Sequence, residues 1–471
     1  MNRGRKGRPW ASGAGQKRHN YSAPLLKLKQ LSWGLGPLLR THAGFLAMRL
    51  GLRWPVLLPM LFFSGSGSCQ GSGQDARLVP WRPVAYPGRG PVLRGLTCCA
   101  MSGTTIQAVG IYKLLVPLNE PFVISLGPLA SVQNIIVVLR TADGYTGTGE
   151  CSPFLTINGE SVDTCFAVGQ YFAPALKGRD ALDLAGCLAE LDRIIYGNSS
   201  IKSAFDGALH DIAAQHTGLP IYEFLGGNNR KVLTTDMTVS LGPPAKMRAD
   251  AVRFQREGFP AIKVKLGGCL ADDVARIRAI RAGIGPTHPL RVDANQGWQT
   301  ADNAIAVLQA LAEFNIEHCE EPILRHHFME LSRVSAASPI PIMADESCGD
   351  EHDAARLIQL QACQLLNIKL GKSSGFHRAQ KIAKLGQAAG LTLQVGGFLE
   401  SRLGMTAAAH LALTNDAIHH CDFDTPLLFS EDPVVGGIRY GAGGVIEMPT
   451  GPGLGARIDE AYLRRAEQVH F

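Results

Sequence analysis

Between Ala261 and Ser347 the chain reads AIKVKLG (261–267), LRVDAN (290–295), IEHCEEP (316–322) and IPIMADES (340–347), four short β-prone runs at near-regular spacing that each end in charge. Working outward, LTTDMTVSL (233–241) precedes them, and LLNIKLGK (365–372), LTLQVGG (391–397) and HHCDFDT (419–425) follow. Amphipathic stretches such as Ala271–Gly283 and Asp302–Phe314 lie between, so strand and helix alternate with a period of roughly 27 residues. Eight such units are what a closed parallel barrel requires. An open doubly wound sheet is the runner-up, but the Gly-rich phosphate loop such a sheet often carries after its first strand is missing. The barrel is assigned to residues 231–440.

In a parallel barrel the chemistry sits at the C-terminal strand ends. Six of the eight ends here are charged: Lys263 and Lys265, Asp293 with Asn295, Glu320-Glu321, Asp345-Glu346, Lys369, and Asp422 with Asp424. Side chains alternate along a strand, so each i,i+2 pair points to one side. A single charge after a strand is usually a solvated turn residue or a helix cap. Six together are harder to explain that way, because charges turned into a barrel mouth need partners. Asp293, Glu320 and Asp345 come from neighbouring strands three, four and five and can converge. Three hard oxygen ligands without His or Cys suit Mg²⁺. The lysines at strands two and six stand opposite each other in a ring of eight, one for each face of a substrate lying between them. Nearby positive charge lowers a lysine's pKa and makes it a usable base; for Lys265, Lys263 and the metal supply such charge.

Ahead of the barrel, residues 104–230 read as an α+β domain. IQAVGIYKLLVPL (106–118), VQNIIVVLRTADG (132–144) and YTGTGECSP (145–153) are strands, and 161–227 carries helical spacing with a Gly-Leu-Pro stop. Residues 441–471, with GAGG and GPGLG, read as an irregular return toward that first domain. Residues 1–103 hold fifteen Lys or Arg and one acid, Asp75, and no sustained period. WPVLLPMLFF (54–63) is too short for a span, which needs about 20 apolar residues, and lies too far in for an ordinary signal. Three readings of this tail stay open: a signal with a buried start, an unstructured basic tail, and an upstream region before a true start at Met101. The last two together are favoured.

Hydrophobic residues at 46% and charged ones at 18% suit an ordinary globular protein. The net charge of +6 misleads, because the tail holds the basic excess and the remainder carries 31 basic against 39 acidic residues. That removes the main argument for a nucleic-acid partner. Eleven cysteines without CxxC spacing or a Cys/His cluster fit a reducing compartment rather than a disulfide framework or a zinc site. The expected location is the cytoplasm, with export left open by the apolar run. No membrane partner is expected, and homo-oligomerisation is left open.

With KxK (263–265), DAN (293–295), EEP (320–322), ADES (344–347) and IKLGK (368–372) in that order, residues 104–471 resemble an enolase-superfamily member of the mandelate racemase/muconate lactonizing type. The resemblance implies an α/β fold: a modified (β/α)₇β TIM-type barrel with an N-terminal α+β capping domain. It implies Asp293, Glu320 and Asp345 as Mg²⁺ ligands, Lys265 and Lys369 as the acid/base pair, Lys263 as helper to Lys265, and Asn295 beside the substrate. Dipeptide epimerases of that superfamily carry a DxD pair at strand eight that grips the α-ammonium, and Asp422 and Asp424 match it. The implied activity is a Mg²⁺-dependent dipeptide epimerase, of the L-Ala-D/L-Glu type or for another L-Xaa-L-Xaa dipeptide. It would invert the C-terminal residue's α-carbon by two-base proton transfer through an enediolate.

The loop Pro117–Ser131 contains no Lys or Arg, and Gly127 stands where relatives that turn over Ala-Glu carry an Arg. An apolar second residue is therefore as open as Glu. An N-acylamino acid racemase, or an o-succinylbenzoate synthase or other cycloisomerase, would share the metal and lysines but have no use for the DxD pair. A non-catalytic binding barrel would be expected to have lost a ligand or a lysine.

Overall fold

The computed structural model describes residues 103–471; the readings of the tail, Met101 included, lie outside them. Strands β1 (Ile106–Ile124), β2 (Gly127–Thr141) and β3 (Thr146–Cys151) form an antiparallel sheet. Val109, Ile111, Ile135, Val137 and Leu139 pack beneath helices α1 (Val162–Leu176), α2 (Leu184–Ile194) and α3 (Ser199–Thr217). Tyr112, Leu114, Val116, Ile136 and Val138, on the opposite face, join the core shared with the barrel. With both faces covered, VQNIIVVLRT is a continuous apolar run instead of an alternating one. The small residues of YTGTGE have a packing reason: a Cβ on Gly149 would sit 1.9 Å from the Ala204 carbonyl oxygen of α3. The strand Gln468–His470 pairs antiparallel with β1.

The reading of Pro117–Ser131 as a loop needs correction. β1 continues to Ile124 and β2 begins at Gly127, so this segment is a β-hairpin that reverses with Gly127 at φ 122°. Its tip is stitched to the barrel, which is why it keeps strand geometry. Val123 N–H donates to Ser240 Oγ (2.7 Å), Leu241 N–H to the Val123 carbonyl (2.8 Å), and Ser125 Oγ–H to the Asn295 carbonyl (2.7 Å).

Eight parallel strands follow in sequential order: Met237–Val239, Ile262–Lys265, Leu290–Asp293, Cys319–Glu320, Ile342–Ala344, Leu365–Lys369, Thr392–Gly396 and Ile418–Asp422. A helix fills each of the seven gaps between them, and directly after strand eight the chain makes the short turn Thr425–Leu428 where an eighth barrel helix would stand. That is the (β/α)₇β pattern. Strand one is shorter than LTTDMTVSL, because Leu233–Thr234 pairs antiparallel with Val445–Glu447 outside the barrel. Strands one and eight close the ring through a seam of single bonds, not a ladder. Asp236 N–H donates to the Cys421 carbonyl (3.3 Å), Phe423 N–H to Thr235 Oγ (2.8 Å), and Thr238 N–H to Asp424 Oδ2 (2.6 Å).

Two carboxylates of the first domain sit on the N-termini of barrel helices, where backbone N–H groups are unpaired and the dipole favours negative charge. Asp206 accepts from Phe376 N–H (2.5 Å), at the head of Phe376–Ala388. Glu150 accepts from Ser401 N–H (2.9 Å), Ser401 Oγ–H (2.6 Å) and Gly404 N–H (2.8 Å), at the head of Arg402–Ala412. Asn134 completes the clamp, donating to Glu150 (2.7 Å) and to the Leu399 carbonyl (2.8 Å). Glu150→Gln keeps the shape but loses the charge and turns one oxygen into a donor facing donors. It should cost about 1.5–3 kcal/mol, read as a lower urea midpoint at unchanged slope. Glu460→Gln, at a side chain 79% exposed, should stay within about 0.5 kcal/mol. Equal midpoints for Glu150→Gln and the parent would contradict the clamp.

Candidate active site

Barrel lumens are usually filled by Val, Ile and Leu; this one is charged. In register, Lys265 lies opposite Asp293 and Asp293 opposite Glu320, while one step lower Lys263 lies opposite Arg291. Alternation then puts His318, Asn367 and His420 in the lower layer beneath Glu320, Lys369 and Asp422.

The nine residues singled out in the sequence all come to this mouth, and all are buried. Lys263 Nζ bridges Glu320 (2.7 Å), Asp422 (2.8 Å) and Asp293 (3.5 Å). Lys265 Nζ lies 2.6 Å from Asp293, and Lys369 Nζ 2.8 Å from Asp345 Oδ2. Asn295 takes its place through its own N–H, which donates to Asp293 Oδ1 (2.8 Å), and its side chain donates to Glu346 (3.3 Å). Asp424 is pinned by Thr238 N–H and lies with Asp422 and Asp236 in a group whose oxygens fall within 4.8 Å of one another.

Several partners have a role that the sequence reading does not assign. Lys372 Nζ pairs with Asp345 (2.5 Å) and donates to the Asn367 carbonyl (3.0 Å). It enters from the turn after strand six, so no strand period could reveal it. Glu321, at φ 37°, turns away from Glu320 and holds the backbone of strand five's end, accepting from Asp345 N–H (2.7 Å) and Ser347 N–H (3.2 Å). Asn367 donates to Glu320 (2.8 Å) and Gln394 reaches its other oxygen (3.4 Å). Asn367 and Arg291 had a legible signal: each stands two residues before a residue already chosen.

Burial and the neighbouring Asp293 push Glu320 up to about 7, and burial with Asp345, Glu321 and Asp293 raises Glu346 well above the carboxylate range. Glu346 Oε2 is also buried without a hydrogen-bond partner. An all-oxygen donor set with this excess of negative charge fits a hard divalent cation; Asp293, Glu320 and Asp345 are each paired with a lysine, and the described carboxylates that group within 4.8 Å are Asp236, Asp422 and Asp424. For Asp345, burial works upward but Lys369 and Lys372 outweigh it and hold the carboxylate low. At Lys369 burial lowers the pKa, but Asp345 and Glu320 outweigh burial and raise it. His318 and His420 do not form a metal site. Burial followed by Arg291 lowers both, and Arg291 occupies His420 Nδ1 at 2.9 Å.

Above this charged floor is a small, partly open cavity of about 40 Å³. Lys265, Lys369, Asn295, Asp422 and Asp424 line it below, and Phe122, Ile124 and Leu129 of the hairpin with Phe154, Ile157, Phe398 and Leu399 wall it. The Phe398 ring lies over Lys369, its centroid 4.9 Å from Nζ.

Comparison with known proteins agrees with this architecture. The family described as mandelate racemase/muconate lactonizing enzyme, N-terminal domain, matches residues 106–226, and the one described as enolase C-terminal domain-like matches 246–462. The D-Ala-D/L-Ala epimerase of Cytophaga hutchinsonii is 53% identical over 364 residues, covering 77% of this chain and 99% of that protein. The L-Ala-D/L-Glu epimerase of Bacillus subtilis is 39% identical over 346 residues, 73% of this chain and 94% of that one. The N-succinyl-L-Arg/Lys racemase of Bacillus cereus is 31% identical over 360 residues, 76% and 97%. A crystal structure of a dipeptide epimerase from Cytophaga hutchinsonii, complexed with Mg and the dipeptide D-Ala-L-Val, matches with a TM-score of 0.77 at 53% identity, over 78% of this chain and 99% of that one. The chain belongs to the enolase superfamily, in its mandelate racemase/muconate lactonizing enzyme family and among its dipeptide epimerases.

Proposed function

We propose that this isomerase is a Mg²⁺-dependent dipeptide epimerase that inverts the α-carbon of the substrate's C-terminal residue. The observation that carries the reading is that one cavity is lined by lysines from opposed strands, Lys265 and Lys369, and by the carboxylate pair Asp422 and Asp424. An N-acylamino acid racemase would need the lysines, but its substrate has no α-ammonium to offer two buried carboxylates.

Asp293, Glu320 and Asp345 would hold the Mg²⁺, which when bound supplies positive charge to the substrate carboxylate and so acidifies the adjacent C–H. Lys265 and Lys369 reach the α-carbon from its two faces. One, as a free amine, takes the proton; the other, as an ammonium, returns one on the opposite face. Lys263, wedged between Glu320 and Asp422, offsets their charge and supports Lys265. Asp422 and Asp424 accept hydrogen bonds from the α-ammonium, and Asn295 steadies the substrate from strand three. The wall of Phe122, Ile124, Leu129, Phe154 and Phe398 excludes water and offers no cation to an acidic side chain. A small or apolar C-terminal residue fits that wall, as in the name of the Cytophaga relative. The eight cysteines among the described residues are all free, which supports action in the cytoplasm. No described helix is long and apolar enough to cross a membrane.

Mg²⁺ should raise the melting temperature, by about 2.7 kcal/mol of stability at a hundredfold excess over its Kd. Chelation should abolish turnover. Asp293→Asn, Glu320→Gln and Asp345→Asn should each lose the melting shift; an identical shift in all three would contradict the ligand assignment.

Lys265→Ala and Lys369→Ala should each lower epimerisation by about 10²–10⁴-fold. Each should still exchange the α-proton of one stereoisomer in D₂O, the two variants choosing opposite stereoisomers by ¹H NMR. Wild-type epimerisation by either variant would contradict the two-base scheme.

A further inference from the structure

We propose that Asp236, held by Arg291, is a positioning residue for the ammonium pocket, one that acts through Asp422 and Asp424 to set how strongly the site prefers a free α-amine over an acylated one. The proposal rests on the dipeptide epimerase reading and extends it beyond the DxD pair.

The geometry is a three-carboxylate cluster, buried throughout. Asp236, Asp422 and Asp424 each offer one oxygen, and these lie within 4.8 Å of one another. Two cations stand within hydrogen-bond distance of them, and each is shared, while Lys265 and Lys369 act on Asp422 from across the cavity. Arg291 gives one N–H to Asp236 (2.9 Å) and another to Glu317 (2.8 Å). Lys263 gives itself to Asp422 (2.8 Å) and also to Glu320 (2.7 Å) and Asp293 (3.5 Å). Asp424 receives the backbone N–H of Thr238. Three carboxylates thus share, by direct contact, less than two full positive charges. Asp236 Oδ1 is buried with no hydrogen-bond partner, although its neighbour Oδ2 is satisfied. Consistent with this shortfall, burial followed by Asp422 and Asp236 pushes Asp424 up to about 8.

Such a cluster lowers its energy by admitting one cation. Asp422 and Asp424 line the substrate cavity, whereas Asp236 lies behind them, so its effect on a ligand passes through the pair. A single ammonium group matches the missing charge. Asp236 is also placed to fix the pair mechanically. It sits on the seam between strands one and eight, where its N–H meets the Cys421 carbonyl next to Asp422, and two residues on Thr238 anchors Asp424.

The test uses the full chain with Mg²⁺, alanylalanine, its N-acetyl derivative, and methylammonium chloride as a probe of the ammonium pocket. In the wild type methylammonium should inhibit competitively against alanylalanine. Asp236→Asn should raise KM for alanylalanine and the methylammonium inhibition constant by about tenfold each, the scale of one charge-assisted contact. It should leave kcat within about twofold and turnover of the N-acetyl substrate unchanged. A kcat loss shared equally by both substrates would make Asp236 a structural residue and overturn the proposal. So would unchanged KM and inhibition constant. If Asp236→Asn does not fold, wild-type inhibition decides: methylammonium at ionic strength matched with sodium chloride that fails to compete with alanylalanine overturns it. Absence of wild-type activity on any free dipeptide would instead defeat the epimerase reading, and this proposal with it.

Discussion

The structure depends on buried pairing between lysine and carboxylate inside a closed barrel. Lys263, Lys265, Lys369 and Lys372 stand among Asp293, Glu320, Asp345 and Asp422, and each ammonium lies within 2.8 Å of an acid. Unpaired charges in that position would be costly, and removing one partner strands the other. The barrel can therefore carry a charged lumen only while its strands hold register, since a one-residue slip would send every second side chain outward. Register in turn relies on the helices between strands, and two of those helices begin on carboxylates of the capping domain.

Those two anchors link cap and chemistry. Glu150 and Asn134 grip the residues around Leu399 and Ser401, so the same segment that presents Phe398 over Lys369 is tied to β2 and β3 of the cap sheet. The hairpin tip does likewise at strands one and three. The cap supplies the apolar wall and the barrel the charged floor, and a substrate meets both together.

Much of this was legible in the sequence because period-2 patterning and barrel topology turn strand ends into ring positions. KVK, DAN, EEP and DES told which strand each charge ends, and the ring told which charges face. The roles of residues outside that rule stayed hidden. Lys372 arrives from a turn, Glu321 reaches sideways through an unusual backbone conformation, and Asp236 lies just before a strand shorter than its apolar run suggested. The hairpin at 117–131 reads as a loop in the sequence because its strand geometry is held by bonds to the barrel 117 and 170 residues away.

The most direct measurement of the account is ¹H NMR of wild-type protein with Mg²⁺ and L-alanyl-L-alanine and D-alanyl-D-alanine in separate D₂O samples. The account predicts loss of the C-terminal α-proton signal, an intact N-terminal α-proton, and build-up of the diastereomer inverted at the C-terminal residue. Exchange at the N-terminal residue, or turnover confined to N-acylated amino acids, would contradict it.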